Sequence, residues 1–156
     1  MARLVDMAGH GLPRATWVAM APAGTDPYAF GETRARRDTG GFTWRHARML
    51  QVDADVAGML MTYTLPPDPQ PLEGIPPLAR PLQALENLCP ASLYINVLAV
   101  YPAFRRRGLA RYMLDRAGQG PQAIITGSDN APALALYRSA GFAEAARRPA
   151  TGDDLW

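Results

Sequence analysis

Three consecutive arginines, Arg105, Arg106 and Arg107, run straight into Gly108, Leu109 and Ala110, a short turn behind the apolar stretch Leu98-Ala99-Val100. Such a succession reads as a buried strand that ends, a turn, and a helix that begins at an R-x-x-G-x-A sequence. The first backbone N–H groups of a helix have no intrahelical partner and stand at the positive end of its dipole, so a phosphate or pyrophosphate fits there. Gly108 lets a ligand approach the backbone, Ala110 keeps that face shallow, and the arginines add charge-assisted hydrogen bonds. The spacing is neither the G-x-x-x-x-G-K of a Walker loop nor G-x-G-x-x-G. The other reactive side chains are scattered. Cys89 stands alone, which excludes an intrachain disulfide and a multi-cysteine metal centre. His10 and His46 have no ligand spacing between them, so no metal is expected. The chain has no lysine, which excludes Schiff-base chemistry on a lysine.

The elements that must position this stretch follow from local signals. Leu4 to Met20 predicts a helix broken by Gly9, Gly11 and Pro13. Asp26-Pro27 is a helix start, with aspartate as cap and proline in the first turn, and that helix is expected to run to about Asp38. Phe42 to Val52 and Val56 to Leu65 predict a strand hairpin around Asp53-Ala54-Asp55. The prolines between Pro66 and Pro81 cannot supply ladder donors and predict a surface loop, followed by a short helix from Leu82 to Leu88. Ser92 to Val100 (SLYINVLAV) is apolar on both faces toward its end, as a central strand would be. Helix is expected over Ala103–Ala117, strand over Gln122–Thr126, helix from about Ala131 to Ala140 closed by Gly141, and a last strand over Phe142–Arg147. The sum is an α/β fold with a mixed sheet.

Two motifs carry a resemblance. Arg105, Gly108 and Ala110 fit the pyrophosphate-loop pattern (Q/R)-x-x-G-x-(G/A), preceded by Leu98-Ala99-Val100 and Pro102. About 20 residues downstream stands Asn130-x-x-Ala133-x-x-Leu136-Tyr137-x-x-x-Gly141-Phe142. On these residues the sequence resembles the GNAT superfamily of acyl-CoA-dependent N-acetyltransferases, over Leu50 to Arg147. The resemblance implies a mostly antiparallel central sheet with flanking helices and a splayed pair of central strands. It implies a single domain over residues 1–156, with a missing or shortened first strand and a truncated last one. A strand usually opens the family's fold, and only Ala2 to Val5 is available for it here.

The same resemblance implies acetyl-CoA as cosubstrate, its pyrophosphate on Arg105, Arg106, Arg107, Gly108, Leu109 and Ala110, and its pantetheine arm along Leu93 to Val100. A backbone N–H near Leu98 or Ala99 would polarise the thioester carbonyl. An amine attacks directly, with no covalent enzyme intermediate. Tyr137 matches the family's usual general acid; a tyrosine is protonated at neutral pH, which suits a proton donor to the leaving thiolate. Asn130 either contacts the cofactor arm or caps its helix. No base is assigned: the family often carries a glutamate on the central strand, where this chain has Tyr94 and Asn96, and a water held by Tyr94, Asn96 or Glu86 could serve. A catalytically inactive CoA-binding sensor or structural subunit of the same fold is therefore the alternative.

Composition bounds the partners. At 156 residues and 48% hydrophobic the chain suits one globular domain, and no apolar run approaches a membrane span. The first residues lack an unbroken apolar stretch, which predicts no secretory signal and a cytoplasmic protein. A net charge of +2 is modest for a phosphate-tracking protein, and glycine and alanine at the helix start also argue against nucleic acid. A small-molecule primary amine is preferred as acceptor over a protein, and a homodimer is possible.

Overall fold

The computed structural model describes residues 1–149. Helices α1 (Ala2–Ala8), α2 (Leu12–Met20) and α3 (Pro27–Ala35) precede strands β1 (Ala47–Val52) and β2 (Asp55–Thr64). Helix α4 (Arg80–Glu86), β3 (Leu93–Val100), α5 (Leu109–Leu114), β4 (Gln122–Ile124) and α6 (Ala131–Ser139) follow. The strands form one sheet in the order β1-β2-β3-β4; β1 and β2 are antiparallel, β3 and β4 parallel, so the sheet is mixed. Among the described residues no helix is long and apolar enough to cross a membrane. The backbone divides into two compact units, Met1–Tyr63 with Asn96–Ala117, and Thr64–Ile95 with the chain from Gly118 onward.

In the first unit the apolar side chains of the two helical pieces on either side of the Gly9–Gly11 break build one core. Leu4 and Val5 of α1 and Trp17 of α2 pack with Met59 and Met61 of β2 and with Val97 and Ala99. Trp17 stacks on Phe42 at 5.9 Å and meets Tyr28 edge-on at 6.3 Å. Asp6 ties the three helices together, accepting from the Arg14 N–H (3.0 Å) and the Tyr28 hydroxyl (2.8 Å). The Asp26 carboxylate accepts from the N–H groups of Tyr28 and Ala29, so the cap read from Asp26-Pro27 starts α3. Strand β2 is buried from Ala57 to Met61 without alternation, as a strand covered on both faces must be, whereas no residue of β1 is fully buried.

One register shift bends the hairpin. Leu50 pairs with Gly58 but Gln51 pairs with Val56, which leaves Ala57 as an extra residue. The Ala57 carbonyl instead accepts from the Tyr101 N–H at 2.9 Å. A Cβ on Gly58 would sit 2.5 Å from the Ala99 carbonyl oxygen and 3.1 Å from Met113 Cε, and the backbone oxygen has no way to yield. Gly58→Ala is expected to cost about 1–3 kcal/mol through overpacking, read as a lower urea midpoint at unchanged m-value.

In the second unit the proline-rich segment is a loop, as its missing N–H groups require. Asn87 pins it, accepting from the Gln70 N–H and donating to the Gln70 carbonyl, both at 2.8 Å. Strand β4 pairs with β3 at Leu93–Gln122, Tyr94–Ala123 and Ile95–Ile124. The Leu93 N–H bonds the Pro121 carbonyl at 2.9 Å, at the start of this ladder.

Three expectations are corrected. Helix is interrupted over Ala103–Ala117: Pro102–Phe104 is a 3₁₀ turn, and Arg106 and Gly108 take left-handed φ values of 62° and 76°, so α5 begins only at Leu109. Strand is absent from Phe42 to His46. The Thr43 hydroxyl donates to the Arg37 carbonyl and accepts from the Arg45 N–H, which starts a 3₁₀ turn over Trp44–His46 in place of a ladder. Phe142–Arg147 is not a strand either; the Glu144–Arg147 ion pair at 2.5 Å links side chains of this segment locally. Ala2 to Val5, the residues available for a shortened first strand, lie in α1.

Candidate functional site

The arginine loop belongs to the first unit. Strand β3 ends at Val100, with Ala99 and Val100 buried and Leu98 partly so. Arg105 turns back on that strand end and donates from Nε to the Val100 carbonyl at 3.0 Å, which holds the loop against the strand it follows. Arg107 lays its guanidinium over the Phe104 ring at 5.5 Å, and Arg106 is exposed in its left-handed conformation. A non-glycine residue held there costs of order 1–3 kcal/mol and persists only where its surroundings impose it. Gly108 is the N-cap residue of α5, and a Cβ at that position would meet no atom within 4 Å. The backbone at Gly108 is thus open on the side where a side chain would stand. The loop's three arginines are exposed.

Arg48 steadies the far end of α5. Its Nη1 donates to the Arg116 carbonyl (2.8 Å) and its Nη2 to the Ala117 carbonyl (2.6 Å), so a cation satisfies the carbonyls where the helix runs out. In the same unit, the Asn96 amide of β3 donates to the Tyr63 hydroxyl at 3.4 Å, and the His46 ring packs on Tyr63 at 5.3 Å.

The second unit holds a cavity of about 270 Å³. Its walls are mainly apolar, from Leu85 and Leu88 around the end of α4, Ile124 of β4, Leu134 within α6 and Phe142 just beyond that helix. Tyr137 faces it from α6, in ring contact with Phe142 at 6.0 Å. Burial pushes the Tyr137 phenol up to about 12, because the phenolate would lose water without gaining a partner. Its hydroxyl therefore stays protonated throughout the neutral range. Glu86 at the end of α4 and Tyr94 of β3 face the same cavity. Burial in these walls pushes the Glu86 carboxyl up to about 7, against the smaller opposing effect of a hydrogen bond from Tyr94. Cys89 is also on the wall.

Asn130 takes the second of the two roles open to it. Its Oδ1 accepts from the Ala133 N–H at 3.3 Å, and its Nδ2 donates to the Thr126 hydroxyl at 3.1 Å. It is the cap of α6, and Gly141, with φ 91°, closes the helix at the other end as the sequence required.

The residues read from the sequence thus fall into two groups, Leu98 to Val100 with Arg105 to Ala110 in the first unit, and Asn130 with Tyr137 in the second. Glu86 could be named beforehand only as one of several residues able to hold a water; a carboxylate in a proline-flanked helix carries no local mark of burial.

Residues 17–142 match the family model described as Acetyltransferase (GNAT) family. Over 75 residues the chain is 39% identical to the Mycobacterium leprae (strain TN) protein ML0378, described as uncharacterized; the match covers 43% of this chain and 21% of that protein, about a fifth of the relative's length. The fold is similar to a crystal structure of an N-acetyltransferase from Staphylococcus aureus Mu50, with a TM-score of 0.65 at 18% identity, over 99% of this chain and 89% of that one.

Proposed function

Because this chain belongs to the GNAT acetyltransferase family, we propose that it transfers an acetyl group from acetyl-CoA to a primary amine, a small molecule in preference to a protein. The observation that carries the reading is the backbone at Gly108, left-handed and open, flanked by exposed arginines at the start of α5. A pyrophosphate there would meet N–H groups, the positive end of a helix and guanidinium groups together. Arg105 and the N–H groups of Gly108, Leu109 and Ala110 bind the phosphates, with Arg106 and Arg107 supplying further positive charge. Leu98, Ala99 and Val100 line the pantetheine arm, and a backbone N–H near Leu98 or Ala99 polarises the thioester carbonyl. Tyr137 protonates the departing thiolate.

Calorimetric titration with acetyl-CoA tests the binding half of this reading, and release of free thiol across a panel of primary amines tests the transfer half. The parent protein is expected to bind and to release thiol with at least one amine. Arg105→Ala is expected to weaken binding by about tenfold or more, the worth of a lost hydrogen bond to a charged group. Binding without thiol release from any amine would move the assignment to a non-catalytic acetyl-CoA binder, and a folded parent that binds none would remove the reading.

A further inference from the structure

We infer that Asn96 selects primary amines as acceptors, its side-chain oxygen holding one N–H of the attacking nitrogen while the other N–H gives up its proton. The inference rests on the acetyltransferase reading above and deepens it; Asn96, Tyr63, His46 and Leu98 all belong to the first unit.

Between Ile95 and Ala99, strand β3 is open at two places. Ile95, Val97 and Ala99 are buried, whereas Asn96 and Leu98 between them are half-buried. The Asn96 Nδ2 donates to the Tyr63 hydroxyl at 3.4 Å, which turns the other end of the amide, Oδ1, away from that ring. Among the described residues Oδ1 has no hydrogen-bond partner. Tyr63 is itself held in place. The His46 ring packs on it at 5.3 Å, and the Gly41 backbone lies so close that a Cβ there would stand 2.8 Å from the phenol oxygen. The phenol thus fixes which atom of Asn96 is offered, and that atom accepts a hydrogen bond without having a proton to give.

Attack by an uncharged primary amine on the thioester carbonyl forms a C–N bond and leaves two N–H groups on a positively charged nitrogen. The C–S bond then breaks with its electron pair on sulfur, one N–H proton passes to water, and the sulfur takes a proton up. The second N–H survives into the amide product, so Asn96 can hold it from first contact to release. An uncharged secondary amine has a single N–H, and that proton must leave. The Asn96 oxygen would then face an alkyl group, and a desolvated acceptor left without a donor costs more than the bond it fails to make. Sites built to hydrogen-bond a substrate N–H reject the analogue that lacks it in this way. Leu98, whose N–H is among those proposed to polarise the carbonyl, stands two residues further on, about 7 Å along a strand. An asparagine side chain and a nitrogen in hydrogen-bond contact with it together cover that span.

The test pairs the primary amine that the intact protein acetylates fastest with the N-methyl derivative of that same amine, both with acetyl-CoA. The parent is expected to favour the primary amine in kcat/KM by about tenfold or more. Asn96→Ala should lose about tenfold on the primary amine and little on the N-methyl amine, so that the preference collapses, while acetyl-CoA affinity by calorimetry stays within about twofold. Asn96→Asp keeps an acceptor oxygen in the same place and should keep the preference. Tyr63→Phe should weaken the preference alone and change nothing further in Asn96→Ala, because it acts through Asn96. A parent that takes both amines equally, or an Asn96→Ala protein with the parent's preference, overturns the inference and leaves the acetyltransferase reading standing. Equal losses on the two amines in Asn96→Ala would make Asn96 a packing residue, which overturns it as well. A parent that releases no thiol with any primary amine removes the transfer reading and this inference with it.

Discussion

Gly108→Glu is expected to abolish acetyl-CoA binding, raising the dissociation constant by more than about 100-fold, while the protein stays folded. Two effects combine at this position. Gly108 has φ 76°, where an L-residue costs roughly 1–2 kcal/mol more than glycine. A glutamate would also place a carboxylate beside the site proposed for the pyrophosphate, between Arg107 and the first turn of α5. Gly108→Ala separates the two. A Cβ there meets nothing within 4 Å, so alanine brings the conformational cost without a clash and without a charge. The two variants should melt at nearly the same temperature, because they share the backbone strain and both side chains project into open space. Calorimetry should then show a modest loss for alanine and a loss beyond detection for glutamate. Equal losses in both would mean that the loop's shape alone governs binding, and unchanged binding in both would show that the pyrophosphate lies elsewhere.

What could be read in the chain beforehand was whatever a few neighbouring residues decide among themselves. Asp26-Pro27 starts α3 because a carboxylate and a ring with no N–H suit the first turn of a helix. Gly141 stops α6 because a left-handed residue ends it. Leu93 to Val100 reads as a buried strand because its apolar residues do not alternate. The left-handed Gly108 ahead of α5 was legible for the same reason, since a glycine placed directly before an apolar helix lies within a few residues of what it caps.

What escaped depends on particular side-chain partners that composition and periodicity do not reveal. The segment after Gly40-Gly41 looked like strand on composition, yet Phe42 stacks on Trp17 and Thr43 bonds Arg37, which takes these residues out of any ladder. Helix was expected straight through Arg105 to Gly108, where Arg105 instead folds back on the Val100 carbonyl and Arg106 turns left-handed. The burial of Glu86 escaped as well. Its acidity is set by walls from α4, β3, β4, α6 and the residues that follow, and no window of sequence contains them together.

Tyr137→Phe should lower kcat by about 100- to 1,000-fold, within the range typical of losing a positioned proton donor, without changing the affinity for acetyl-CoA. The substitution removes one oxygen and keeps the ring, so the contact with Phe142 and the wall of the cavity survive. The proposed phosphate contacts all lie between Arg105 and Ala110 and are untouched, which is why binding should hold while turnover falls. The pH dependence adds a second check. Burial holds the Tyr137 phenol at about 12, so its proton is still in place at pH 9 and no alkaline loss of rate is expected from this group below about pH 10. An acid with an ordinary tyrosine value would already be failing there. The thiolate can also leave without a proton, more readily as the pH rises, and Tyr137→Phe should therefore recover part of its deficit in alkaline buffer. A deficit that stays constant from pH 6 to pH 9 would make Tyr137 a packing residue. A deficit that shrinks with pH, at unchanged acetyl-CoA affinity, makes it the proton donor.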